Sequence, residues 1–191
     1  LRPGPGRQLV AMSDSYAVAL DSELNLLWGH TGNLGHGPAA GDLNGDGLDE
    51  VMLGYSLLDH EGRVRWTVPG LDTKVNSDMI DAHADWTEMA CLRMDGPMRL
   101  LLAASQKGLF ILDAGGQVIR RHKVGHVQCV MTGFRDRRRG ERFIVTATLW
   151  ENAGIYWVFD ADGAPVRRWE LPMFSPVYPL TWPGCRSDLI L

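Results

Sequence analysis

Apolar residues along this chain come in short bursts broken by turn-forming residues. The clearest bursts run from Glu50 to Gly54, Met98 to Ala104 and Arg142 to Thr148. They are rich in Val, Ile, Leu and aromatic residues, and each is the length of a strand. No segment combines a 3.6-residue apolar stripe with helix caps. The pattern predicts an all-β chain.

The bursts repeat in a set order. Leu57-Leu58-Asp59-His60-Glu61-Gly62 is followed by a second strand ending at Trp66. Ile111-Leu112-Asp113-Ala114-Gly115-Gly116 leads in the same way to Arg120, and Val158-Phe159-Asp160-Ala161-Asp162-Gly163 leads to Trp169. A degenerate copy, Ala19-Leu20-Asp21-Ser22-Glu23-Leu24, ends at Trp28. Each copy reads as strand, Asp-x-x-Gly hairpin turn, strand, because Gly accepts the positive φ that tight hairpins demand. Trp66 and Trp169 are expected at matching places in their units. The copies recur at roughly 40–55 residues, the period of four-stranded propeller blades.

A first half precedes each copy, and it opens on a histidine: His36, His83 and His126. The blades then fall at about 34–68, 80–123 and 125–171, with partial blades at about 7–30 and 174–191. The expected fold is a β-propeller. Both partial ends contain the same second strand of the repeat, so they overlap rather than complete one blade. The chain reads as a segment of a larger propeller, since an open arc would leave strand edges exposed.

Between two strands of the first whole blade lies Asp42-Leu43-Asn44-Gly45-Asp46-Gly47-Leu48-Asp49-Glu50. Side-chain oxygens stand at alternate positions, and Gly47 permits a sharp turn. Calcium takes six to eight oxygen ligands, and a loop of this kind supplies several from one segment. The expected ligands are Asp42, Asn44, Asp46 and Glu50, with the Leu48 carbonyl. A helical calcium hand would place Glu at the twelfth position, where this chain has Leu53. An ordinary Asp-Gly turn would need only one or two of these residues.

The three blade-opening histidines are expected at one end of the propeller, near its axis and partly open to solvent. Within Asp81-Ala82-His83-Ala84-Asp85, strand alternation sets Asp81, His83 and Asp85 on one side. Such a ring can bind a metal, take a proton or hold an acidic sugar. It can equally pin inner strands by hydrogen bonds to the neighbouring blade. His30 is a further candidate for the same face, whereas His60 and His122 fall in or after turns and are expected to be exposed.

Composition narrows the field little. The chain has 191 residues and a formal net charge of −4, which gives no bulk attraction to nucleic acid. The basic cluster from Arg135 to Arg139 falls at a hairpin turn and reads as solvated. Cys91, Cys129 and Cys185 lack metal spacing and are expected as small buried hydrophobes. No run is long enough to span a membrane. The chain opens at Leu1 without a visible export signal, as a processed product or an internal segment would. Phosphate-loop, dinucleotide and nucleophile-elbow motifs are absent.

Taken together, His36, the acidic loop and the Leu57-Leu58-Asp59-His60-Glu61-Gly62 turn resemble the blade unit of family 11 rhamnogalacturonan lyases and related propeller polysaccharide lyases. The acidic loop itself resembles the FG-GAP type of calcium loop. The likeness is strong over about 30–66 and weaker over 80–170. There, Met94-Asp95-Gly96 and Arg135-Asp136-Arg137 stand in place of acidic loops. The resemblance implies β-elimination on a uronate-containing polysaccharide, Ca2+ as cofactor, and a secreted or periplasmic location. It implies His83, His126 and His36 as candidate catalytic groups, with Tyr55 as a weaker candidate acid. The alternative it leaves open is a non-catalytic propeller that binds glycan or protein.

Overall fold

The computed structural model describes residues 8–71, 83–150 and 153–190. Three four-stranded antiparallel sheets follow one another along the chain. The first holds β4 (Ala39–Gly41), β5 (Glu50–Leu53), β6 (Ser56–Leu58) and β7 (Val64–Thr67). The second holds β8 (Trp86–Cys91), β9 (Met98–Ala103), β10 (Leu109–Leu112) and β11 (Val118–His122). The third holds β12 (Val127–Asp136), β13 (Glu141–Thr148), β14 (Ile155–Phe159) and β15 (Pro165–Glu170). A three-stranded sheet, β1 (Leu9–Met12), β2 (Tyr16–Leu20) and β3 (Leu26–Thr31), precedes them. A two-stranded one, β16 (Pro179–Leu180) and β17 (Leu189–Ile190), follows. Among the described residues there is no α-helix, and no helix long and apolar enough to cross a membrane.

Strands within each sheet meander in order, while the first strands of successive sheets touch: β4 with β8, β8 with β12, β12 with β16. That arrangement makes them the innermost strands of propeller blades. The sheets stack face to face, with one apolar cluster between each neighbouring pair. Leu100, Leu102 and Phe110 point to the side of Met52 and Leu57, whereas Leu101, Ala103 and Ile111 point to Val130 and Ile144. Burial on both faces is why the central strands read as unbroken apolar runs.

The hairpin turns share one geometry. The Asp59 carboxylate accepts from the backbone N–H of Glu61 and Arg63, both at 3.0 Å. Asp113 accepts from Gly115 and Gln117, Asp160 from Asp162 and Ala164, and Asp21 from Glu23 and Asn25. Gly62, Gly116 and Gly163 all take positive φ, and the degenerate copy forces Leu24 to φ 65°. Each glycine also receives the previous blade: Trp28 lies against Gly62, Trp66 against Gly116 and Arg120 against Gly163. The indole N–H of Trp28 donates to the His60 carbonyl and that of Trp66 to the Ala114 carbonyl, both at 3.2 Å.

Three expectations need correction here. Trp169 is not the counterpart of Trp66. Trp66 pairs with Leu57, and the same register in the third blade is Val158 with Arg167, so Trp169 sits two residues further on and stacks on Tyr156. Of the cysteines, only Cys129 is buried; Cys91 and Cys185 are exposed. The basic cluster does more than face water. Arg137 pairs with Asp188, Arg186 with Asp136, and the Phe134 N–H donates to Asp188 at 2.7 Å. The turn thereby docks the last two strands.

Candidate functional site

His36, His83 and His126 converge on a single buried carboxylate, Asp85. His36 Nδ1 and His83 Nε2 each lie 3.2 Å from Asp85 Oδ1, and His126 Nε2 lies 3.2 Å from Oδ2. The Ser105 hydroxyl donates to Oδ2 at 2.6 Å, and the Gln128 amide donates to Oδ1 at 3.1 Å. The His36 and His83 rings meet edge to face at 4.8 Å. Asp81 lies outside the described residues.

Local chain chemistry builds this centre. His36 lies between Gly35 and Gly37, and the chain approaches residues 84–86 so closely that side chains there would collide. A Cβ on Gly35 would stand 1.8 Å from the Ala84 carbonyl oxygen, and one on Gly37 would stand 2.7 Å from the Trp86 ring. The Gly37 carbonyl accepts from both the backbone N–H and the hydroxyl of Thr87. His83 is held by its own carbonyl, which accepts from the Tyr55 hydroxyl at 2.7 Å and from Ser105 at 3.1 Å. Ser105 has a left-handed backbone, φ 47°, uncommon for a non-glycine residue and a form of local strain.

The histidines differ in access. The His36 side chain is 44% exposed and that of His83 18%, whereas His126 is only 3% exposed. His126 is therefore buried rather than partly open, and Trp150 stands edge-on over its ring. Despite the short distance to Asp85, neither ring nitrogen of His126 has a hydrogen-bond partner of good geometry among the described residues. Burial pushes the Asp85 carboxyl up. The close His126 nitrogen, with the His83 and Ser105 contacts, outweighs burial and holds the carboxyl at about 2. Asp85 is thus an anion at neutral pH. Tyr55 is buried and its hydroxyl is committed to His83, so it is a positioning residue and not an exposed acid. His30 lies on β3, the last strand of its sheet. His122 is not exposed either: it packs on Phe159, and burial lowers its pKa.

A groove of about 220 Å³ opens beside His36 and Asp85, lined also by Trp86, Gln128, Phe174 and Tyr178. Ser105, Gln128 and the groove aromatics carry no periodic signal and were not legible as site residues. Asp85 was visible only as the neighbour of His83.

The acidic loop joins β4 to β5, at the far end of the innermost strand from His36. Asp42 accepts backbone N–H groups from Gly45, Asp46 and Gly47. The Asn44 amide stands between Asp46 and Glu50, 3.0 Å from each carboxylate. Glu50 is buried, and burial together with the Asp46 and Asp42 charges raises its pKa. Two carboxylates flank the Asn44 amide, one of them buried, and a third, Asp42, accepts from the loop backbone; oxygen donors of this type are the kind calcium takes.

No family model matches the chain, and no curated protein does. Solved structures do. Rhamnogalacturonan lyase YesW matches with TM-score 0.65 and 19% identity over 96% of this chain and 32% of its own. A Bacillus licheniformis rhamnogalacturonan lyase, PL11, matches with TM-score 0.61 and 20% identity over 91% and 30%. The V. cholerae biofilm matrix protein Bap1 matches with TM-score 0.55 and 22% identity over 81% and 24%. The chain spans about a third of the length of these lyases. At such identities the likeness is one of fold: the chain is built as β-propeller blades.

Proposed function

We propose that this chain is part of a calcium-stabilised propeller of a polysaccharide lyase-like enzyme, which acts by β-elimination on a uronate-containing polysaccharide. The observation that carries the reading is the His36–Asp85 pair at the groove. Its Nδ1 faces a buried anion, while Nε2 lies on the outer side of the half-exposed ring, 3.9 Å from the exposed Asp14 carboxylate; a carboxylate behind the ring is the arrangement of an oriented general base. In the reaction, Nε2 takes the proton α to the uronate carboxylate. The C–H electrons form the new C=C bond, and the adjacent glycosidic C–O bond breaks toward oxygen. The imidazolium or a water returns a proton to that oxygen. Asp85 stabilises the imidazolium. His83 supports Asp85 and is the second candidate base; His126 is too buried to touch substrate.

The acidic loop has a separate role. It lies beyond the other end of β4, so its ion would brace the loop and not meet a substrate at His36. The reading implies an acidic polysaccharide partner and a secreted or periplasmic location. A second reading, glycan binding without turnover, is favoured by one fact: among the described residues, no Lys or Arg lines the groove to neutralise a uronate.

The test is incubation of the protein with rhamnogalacturonan and polygalacturonate while following absorbance of the unsaturated product. His36→Gln should lower the rate by about 10²–10⁴, with near-UV dichroism unchanged. Binding without product would support the second reading, and a loss of two-fold or less in His36→Gln would overturn the assigned base.

A further inference from the structure

We infer that Trp150 is a stacking platform for a sugar ring, set beside the histidine centre and working with Tyr178 of the groove. Backbone strain singles it out. Four described non-glycine residues have positive φ: Leu24, Asp95, Ser105 and Trp150. Leu24 and Asp95 lie in exposed hairpin turns. The other two adjoin the centre. Ser105 donates to Asp85, and the Trp150 ring stands 6.4 Å from that of His126. A left-handed backbone is an outlier for a bulky residue, and such strain gathers at functional sites. Glycine would hold the turn at φ 61° without it.

The loop offers the ring to solvent. Trp150 is 64% exposed. The Leu149 N–H donates to the His126 carbonyl at 2.9 Å, and the Ala153 N–H closes the turn on the Trp150 carbonyl at 2.9 Å. The base of the loop is thus fixed to the centre. The contact with His126 is nearly perpendicular, at 77°, and leaves most of the indole surface open. Trp28 and Trp66, by contrast, use their indole N–H groups to lock blades together. Tyr178 is a second exposed ring, and it lines the groove with His36, Asp85 and Gln128. The two rings meet the centre through different histidines. His36 faces Asp85 Oδ1, and His126, under Trp150, faces Oδ2.

Aromatic faces beside hydrogen-bonding groups suit a pyranose, whose C–H face packs on a ring while its hydroxyls reach sideways. Gln128 donates its amide N–H to Asp85, and its carbonyl oxygen is left to accept a hydroxyl. An apolar partner would desolvate Gln128 and His36 without pairing them. Two rings at one centre serve at least two sugar residues, hence a polymer rather than a monosaccharide. Sugar as the occupant rests on the glycan reading above, but not on turnover.

The experiment is calorimetric titration of wild type, Trp150→Gly and Trp150→Phe with rhamnogalacturonan and polygalacturonate fragments, beside urea denaturation of each. Wild type should bind at least one of the two. Trp150→Gly should weaken that binding about tenfold or more. Its urea midpoint should hold or rise, because glycine relieves the strained backbone. Trp150→Phe should recover most of the affinity. A wild type that binds neither polymer would overturn the platform, as would Trp150→Gly affinity within about two-fold of wild type. So would joint loss of affinity and stability in Trp150→Gly, which would make the ring a cover for His126. Absorbance of unsaturated product separates the two readings. Binding that depends on Trp150 without product would sink the lyase and leave the platform standing. Product formed with an unchanged KM in Trp150→Gly would do the reverse.

Discussion

Substituting Gly116 by Ala tests how one blade is locked to the next. Gly116 has φ 80°, a left-handed conformation that costs an L-residue about 1–2 kcal/mol. An added Cβ would also stand 2.9 Å from two atoms of the Trp66 ring, closer than real contacts allow. The ring cannot retreat freely, because its N–H donates to Ala114 in the same turn. Losing that bond adds about 1 kcal/mol. The expected total is about 2–3 kcal/mol. Gly184 supplies the control: its φ is 81°, but nothing lies within 4 Å of a methyl added there. Gly184→Ala should therefore cost only the backbone strain, about 1–2 kcal/mol. Urea denaturation of both variants gives the difference, which isolates the inter-blade contact. Equal losses would refute the claim that the turn glycine is required by the neighbouring tryptophan as well as by its own backbone.

Leu24 holds the same turn position in a left-handed conformation and is exposed, so Leu24→Gly should stabilise by a few tenths to about 1 kcal/mol in the same assay. Burial raises the Glu88 carboxyl above its usual 4.5, despite the Thr132 bonds that oppose it. The folded state then binds the proton more tightly, so stability is present at low pH and falls as pH rises through the folded pKa. Glu88→Gln should flatten that fall, which melting curves across pH would reveal. If the acidic loop holds calcium, free calcium at tenfold its dissociation constant should add about 1.4 kcal/mol; chelator should remove the gain, and Asp46→Ala should abolish the response.

Short-range chemistry was legible in the chain itself. Asp59, Asp113 and Asp160 each bond backbone two and four residues ahead, so their turns follow from a few consecutive residues wherever the chain goes. Strand identity followed from apolar bursts, and blade order from the spacing of the copies. The loop between β4 and β5 likewise shows its acidic pattern without tertiary help. What only the folded arrangement decided lies between blades. Trp66 follows its turn aspartate by seven residues and Trp169 by nine, and the strand register shows that this small offset moves the second to a different contact, against Tyr156. The Arg135–Arg139 turn looks solvated until Asp188 arrives from the end of the chain. The three histidines were visible as a repeat, yet their common partner was not. Asp85 is a single residue in one blade, without counterparts, and its role arises because β4, β8 and β12 bring three chain segments to one point. Periodicity records what each blade shares, whereas a site is made from the residues in which blades differ.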